Sequence, residues 1–290
     1  MRRGALWLGA RITTIIHVES ELGVKWPTAP GLLVSLDAGL LICTLDRPDR
    51  ANSLTRDQTL ALTQIARSMG AGDGPRAILL RANGRHFCAG ADISGNRGSG
   101  EKPSTGHMVR SLETGPHAMI AAMWDCPIPV VAAVQGQAAG LGLHLALTAD
   151  VIIGAESATF REPFAERGFN VDSGGSWILS RRIGLTRATD MVLRARPIPA
   201  PVALSWGLIS EVVPDAELDA AARASASTLA MGPTIALSQC KRLVRRNQMA
   251  ELNTAMGDEA LAVELCLRSD DFKEGMRAFG EKRPPAFTGR

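Results

Sequence analysis

The chain has 290 residues, 46% apolar and 21% charged, which is ample for one large core, or a core plus a small appendage. Its 32 basic residues against 29 acidic leave a formal charge of +3, and aromatics are only 4%, a balance that argues against a nucleic-acid-binding surface. Five widely spaced cysteines (Cys43, Cys88, Cys126, Cys240, Cys266) include no C-x-x-C pair, which argues against a disulfide framework or structural zinc site and for a reducing, cytoplasmic setting.

Arg2 and Arg3 precede Ala5-Leu6-Trp7-Leu8 in the manner of a signal peptide, but Arg11 interrupts the apolar stretch. Residues 1–30 are therefore read as a poorly ordered N-terminal tail. No apolar run reaches about 18 residues, so no membrane span is expected. Leu32, Val34 and Leu36 alternate with other residues, Asp37-Ala38-Gly39 supplies turn chemistry, and residues 40–45 form a second β-type run, together a hairpin. Thr55 and Gln58 have the spacing of a capping box ahead of a helix ending near Met69. A loop over 70–75 leads to a buried strand over 76–81. Residues 95–106 are rich in Gly, Ser and charge and read as a surface loop. A helix is predicted near 108–124 and strands at 129–134 and 149–154, with a helix between them from about Gly140. This alternation predicts an α/β core over 31–213 with crossover connections. From 214 to 290 the pattern is helical only. Leu252, Met256, Ala260, Val263 and Leu267 mark one stripe suited to core or subunit packing.

Two segments are built to present main-chain amides rather than side chains. One is Phe87-Cys88-Ala89-Gly90-Ala91-Asp92-Ile93, and the other is Gly136-Gln137-Ala138-Ala139-Gly140-Leu141-Gly142; each follows a predicted strand. Small residues keep bulk away from the backbone and glycines permit unusual torsions. A helix starting near Gly140 leaves its first N–H groups without intrahelical acceptors. Either segment alone is also compatible with an ordinary tight turn. Together they can form an oxyanion hole, in which two amides converge on one oxygen.

At this point the chain resembles a known family. Leu45-Asp46-Arg47-Pro48-Asp49-Arg50-Ala51-Asn52-Ser53-Leu54 is similar to the N-terminal signature of the crotonase (enoyl-CoA hydratase/isomerase) superfamily. Phe87 to Ile93 resembles its first oxyanion loop, and Val130 to Asp150 its second loop and the helix that follows. Trp206-Gly207-Leu208-Ile209 and the tail segments Ser269-Asp270, Glu274-Gly275, Ala278-Phe279 and Glu281-Lys282-Arg283-Pro284 continue the likeness in consistent order. The resemblance implies an α/β crotonase spiral of ββα turns, then a helical region that packs into homotrimers or homohexamers. It implies an acyl-CoA thioester substrate, with coenzyme A entering as part of the substrate and no metal or redox cofactor. The thioester carbonyl would sit between the N–H groups of Ala91 and Leu141. The adenine would lie near Ala89, Asp92 and Ile93, and the phosphates would meet Arg50 and Lys282 from a neighbouring subunit.

The pattern breaks where a hydratase of this family carries two water-handling glutamates. The matching positions hold His144 and Phe164, and phenylalanine transfers no proton. Glu162 stands two positions from 164, a different place if the segment is regular; it and Glu166 are spare carboxylates, and most glutamates are solvated. Asp172, in Gly168-Phe169-Asn170-Val171-Asp172-Ser173-Gly174-Gly175-Ser176-Trp177, falls on the catalytic aspartate of the double-bond isomerase branches. Asp172 is equally good chemistry for capping a helix that starts near Ser173. His144 relays a proton, orients the substrate or fills space. Cys88 lacks an evident base and reads as packing, and His86 and His107 lack ligand spacing. The expectation is a double-bond isomerase with Asp172 as base, assisted by His144. The alternatives are a hydratase, lyase or thioester hydrolase using His144 and Asp172, and a non-catalytic acyl-CoA-binding protein.

Overall fold

The computed structural model describes residues 16–19, 25–70, 74–92, 94, 107–167, 170–247 and 268–290. Strands β1 (Ile16–Glu19) and β2 (Lys25–Thr28) pair antiparallel ahead of the predicted core. Trp26 and Ala29, inside the stretch read as a tail, are buried in the main core. The next hairpin, β3 (Leu32–Asp37) and β4 (Leu40–Leu45), has the expected register. Ala38 and Gly39 both have positive φ (46° and 81°), the backbone that matches strand twist in a tight hairpin. Helix α1 (Arg56–Ser68) starts at the capping box: the Gln58 N–H donates to Thr55 Oγ1 at 3.2 Å, and the Thr55 N–H to Gln58 Oε1 at 2.9 Å.

Strand β5 (Ala77–Ala82) follows, then α2 (His107–Thr114) and α3 (Pro116–Trp124). The helix predicted over 108–124 is thus two. Pro116 supplies no N–H and sits at the first turn of a new helix, with Gly115 as the break. The chain continues through β6 (Val130–Val134), β7 (Gln137–Ala139), α4 (Leu141–Leu147), β8 (Val151–Ala155), β9 (Thr159–Arg161) and α5 (Gly175–Arg194), which kinks at Gly184. Strand β10 (Ile198–Pro199), α6 (Ala200–Trp206) and β11 (Glu211–Val213) complete the mixed region. Helices α7 (Leu218–Ala230), α8 (Thr234–Arg246) and α9 (Asp270–Glu281) then follow. The stripe from Leu252 to Leu267 and the loop over 95–106 lie outside the described residues.

Six strands form one sheet in the order β11-β8-β6-β5-β4-β3, parallel except for the β3–β4 hairpin. A smaller sheet, β10-β9-β7, lies beside it. The units β6-β7-α4 and β8-β9-α5 each send one strand to the large sheet, the next to the small sheet, and then a helix. This is the ββα spiral. One face of the large sheet, with Ile42, Leu79, Val131 and Ile153, packs on Leu218, Ala222, Ala226 and Ala230 of α7, a stripe of period four whose alanines allow close approach. The other face carries Leu41, Ile78, Ala132 and Ile152 into the main core with α1, α3 and α4. The ends of β5 and β6 feed directly into the two amide-presenting segments.

Candidate active site

The first loop is pinned to the signature segment. The Leu54 N–H donates to the Gly90 carbonyl and the Asp92 N–H to the Leu54 carbonyl, both at 2.8 Å. In this parallel bridge the N–H and C=O of Ala91 itself point away from Leu54. The second loop is pinned to the first: the Cys88 N–H donates to the Gln137 carbonyl at 3.0 Å, and the Ala139 N–H to the Cys88 carbonyl at 2.9 Å. His86 Nδ1 accepts the Gln137 N–H at 3.2 Å, a structural use of a histidine with no ligand spacing. Gly140 (φ 51°) turns the chain into α4, so Leu141 is the first helical residue and its N–H has no intrahelical acceptor. Gly90 (φ 112°) lies against that start, for a Cβ on it would stand 3.9 Å from the Leu141 nitrogen. Ala91 and Leu141 therefore belong to two loops locked in register.

Cys88 is fully buried, and burial pushes its thiol up to about 12, so it stays protonated and acts as packing. Ala89 is held by its N–H donating to the Ala51 carbonyl at 2.9 Å. Asp92 accepts from Ser94 and from Arg47 Nη2, the latter at 2.7 Å; the Ser94 hydrogen bonds first, then Arg47, hold its carboxyl at about 2. Arg47 is a residue the motif reading passed over, although it stands inside the signature. Arg50 is exposed beside Asp49, 3.6 Å away, and Lys282 is exposed after α9. Ile93 and the side chain of His107 lie outside the described residues.

The positions matched to hydratase glutamates face each other: the rings of His144 and Phe164 stack at 5.8 Å, with planes 10° apart. Glu162, read as a spare carboxylate because most glutamates are solvated, is instead buried. Phe160 and Glu162 are buried while Arg161 between them is not, so the period of two in β9 runs past its end and turns the carboxylate inward. Glu162 Oε1 lies 2.8 Å from His144 Nε2, and both side chains are fully buried. Glu166 is outward, paired with Arg161.

Asp172 is half-buried in a turn whose carbonyl accepts the Gly175 N–H at 2.9 Å. Among the described residues, its side chain accepts no hydrogen bond from the start of α5. Helix α5 begins at Gly175, two residues later than expected, with Gly174 in left-handed conformation as its cap and no side-chain hydrogen bond there. The capping alternative is thereby corrected, because the turn satisfies the helix start with backbone. Among the described residues no helix is long and apolar enough to cross a membrane, and no cluster of His, Cys, Asp or Glu is arranged to hold a metal ion.

The enoyl-CoA hydratase/isomerase family model matches residues 35–290. The chain belongs to the enoyl-CoA hydratase/isomerase family. A protein named "Probable enoyl-CoA hydratase" from Rhodobacter capsulatus is 41% identical over 256 residues, covering 88% of this chain and 96% of its own. The 1,2-epoxyphenylacetyl-CoA isomerase of Escherichia coli is 35% identical over 261 residues, covering 89% and 98%. Among solved structures, the enoyl-CoA hydratase of Bacillus anthracis superposes with a TM-score of 0.82 at 28% identity, over 90% of this chain and all of that one. The crotonase spiral and the enzyme class expected from the motifs are thus shown at the level of the family. Hydratases and isomerases both stand among these relatives, so the reaction itself is argued from this chain's own residues.

Proposed function

We propose that this enzyme moves a carbon–carbon double bond in an unsaturated acyl-CoA, with Asp172 as the base that takes one proton and returns it at another carbon. Removing that proton puts negative charge on the thioester oxygen. The N–H groups of Ala91 and Leu141 receive that oxygen, and one such preorganised donor contributes about 2.7–4 kcal/mol. Arg50 and, from a neighbouring subunit of a trimer or hexamer, Lys282 meet the phosphates; Ala89, Asp92 and Ile93 flank the adenine.

The observation that carries the reading is Asp172 itself, a half-buried carboxylate with no capping duty, in a site where Phe164 occupies a hydratase glutamate position. The likeness to an acyl-CoA isomerase adds support. The contact of His144 with Glu162 favours a second reading, in which His144 and Asp172 serve a hydratase, lyase or thioester hydrolase. Incubation with a panel of CoA thioesters, followed by mass spectrometry, decides between them. Isomerisation leaves mass unchanged; gain of water or release of free CoA overturns the isomerase reading.

A further inference from the structure

We propose that Glu162 is a positioning residue that acts through His144 to hold the turn carrying Asp172, an inference that rests on the reading of Asp172 as base. Every residue of α4 is buried and all but His144 are Leu, Gly or Ala, so the imidazole is the polar exception in an apolar helix. A buried ion pair or polar pair of this kind seldom adds net stability over apolar residues of the same volume, which points to a use other than holding the fold. Glu162 Oε1 and His144 Nε2 share a 2.8 Å hydrogen bond, and we assign the Nε2–H of His144 as its donor, the arrangement in which the Glu162 oxygen accepts. That bond selects which ring nitrogen carries the proton and fixes the plane of the ring. Among the described residues, His144 Nδ1 and Glu162 Oε2 have no hydrogen-bond partner.

The ring lies directly beneath the Asp172 turn. A Cβ built on Gly175 would stand 2.2 Å from His144 Nε2, 2.5 Å from Cε1 and 2.7 Å from Val171 Cγ2. Gly175 is the same residue whose N–H donates to the Asp172 carbonyl. The stacked ring of Phe164 in turn approaches Gly140, 3.4 Å from where a Cβ would stand, at the start of α4. The imidazole oriented by Glu162 and the Phe164 ring stacked on it thus lie between the turn that carries the base and the helix start that carries the Leu141 amide.

The test uses the full-length protein and three variants: Glu162→Gln, which keeps an oxygen acceptor, Glu162→Leu, which removes it, and His144→Leu/Glu162→Leu, which replaces the pair with apolar groups. Nitrogen-15 spectra of the His144 ring are expected to show a protonated Nε2 in the wild type and in Glu162→Gln, and a redistributed proton in Glu162→Leu. The carbon-13 resonance of the Asp172 carboxyl, identified by its loss in Asp172→Asn, is expected to move in Glu162→Leu and stay in place in Glu162→Gln. On an accepted enoyl-CoA, Glu162→Leu and the double variant are expected to lose at least tenfold in kcat with KM unchanged, while Glu162→Gln stays within about threefold. A double variant with full kcat makes the pair merely structural and overturns the proposal, as does an Asp172 resonance that ignores Glu162→Leu or a Glu162→Gln variant as slow as Glu162→Leu. The spectra need no turnover, so they test the positioning role even where the isomerase reading fails. A silent Asp172→Asn removes the base and leaves the pair without the role assigned to it.

Discussion

Gly142 packs on Cys88 so closely that a Cβ at 142 would stand 2.4 Å from the Cys88 carbonyl oxygen and 2.6 Å from its Sγ. That same carbonyl accepts the Ala139 N–H, so side-chain bulk and hydrogen bonding both register the two amide-bearing loops through one residue. Backbone cannot swing aside as a flexible side chain does. Gly142→Ala is therefore expected to force the loops apart, with a loss of about 1–3 kcal/mol typical of overpacking. Turnover should fall by more than tenfold, because the Ala91 and Leu141 amides lose their mutual placement. Melting and kinetics on the purified variant check both, and a fully active Gly142→Ala variant would remove this account of the loops.

Asp172 gives a cleaner contrast. Asp172→Asn keeps size and removes the ability to accept a proton, so turnover should drop by on the order of 10²–10⁴, the usual contribution of a positioned acid or base. Because the side chain makes no cap bond, Asp172→Ala should leave the melting temperature nearly where it was. A capping residue would instead cost about 0.5–2 kcal/mol on truncation. The pair of variants in a turnover assay and a melting assay separates the two roles.

Much of this arrangement was legible in the sequence where local chemistry decides structure. The Thr55/Gln58 capping box, the Ala38-Gly39 turn and the glycines at 90, 136, 140 and 142 each act within a few residues, and the family motifs pointed to the two loops that contain Ala91 and Leu141. Pro116 after Gly115 also carried a readable signal for a helix start, which the apolar pattern across 108–124 masked. Glu162 was harder. Its inward alternation with Phe160 is in the sequence, but His144 is 18 positions earlier, and only the pairing of β7 with β9 brings α4 beside that carboxylate. Trp26 was missed because its strand β2 packs on helix α1, which begins some thirty residues later at Arg56.

Crotonyl-CoA hydration should be weak beside that of an ordinary hydratase, since water addition calls for two proton-transfer groups and Phe164 supplies none. Phe164→Glu alone is not expected to restore it. His144 is already engaged with Glu162, and a carboxylate placed where the Phe164 ring lies would lose the ring's stacking on His144 and be partly desolvated. Ordinary catalytic efficiency of the unmodified enzyme on crotonyl-CoA, measured by loss of enoyl absorbance, would contradict this.

The Asp92–Arg47 contact ties the first amide-bearing loop to the signature segment, and it makes a pH-dependent contribution whose sign is fixed. The carboxyl of Asp92 is lowered from an ordinary 3.8 to about 2 by the Ser94 hydrogen bonds first and the Arg47 guanidinium after them. A group whose folded value is depressed binds protons more readily when unfolded, so stability rises with pH between the two values. The contribution is fully present above about 4 and disappears as pH falls through about 2. Asp92→Asn is therefore expected to be less stable than the wild type at pH 5 to 7, with the difference shrinking from pH 4 downward and nearly closing at pH 2. Comparing the two proteins at each pH cancels carboxylates they share, such as Glu274, which Arg283 also holds at about 2. Urea midpoints measured for both across pH 2 to 7 give the curve, and a difference that stays constant across that range would show that the ion pair does not hold the loop.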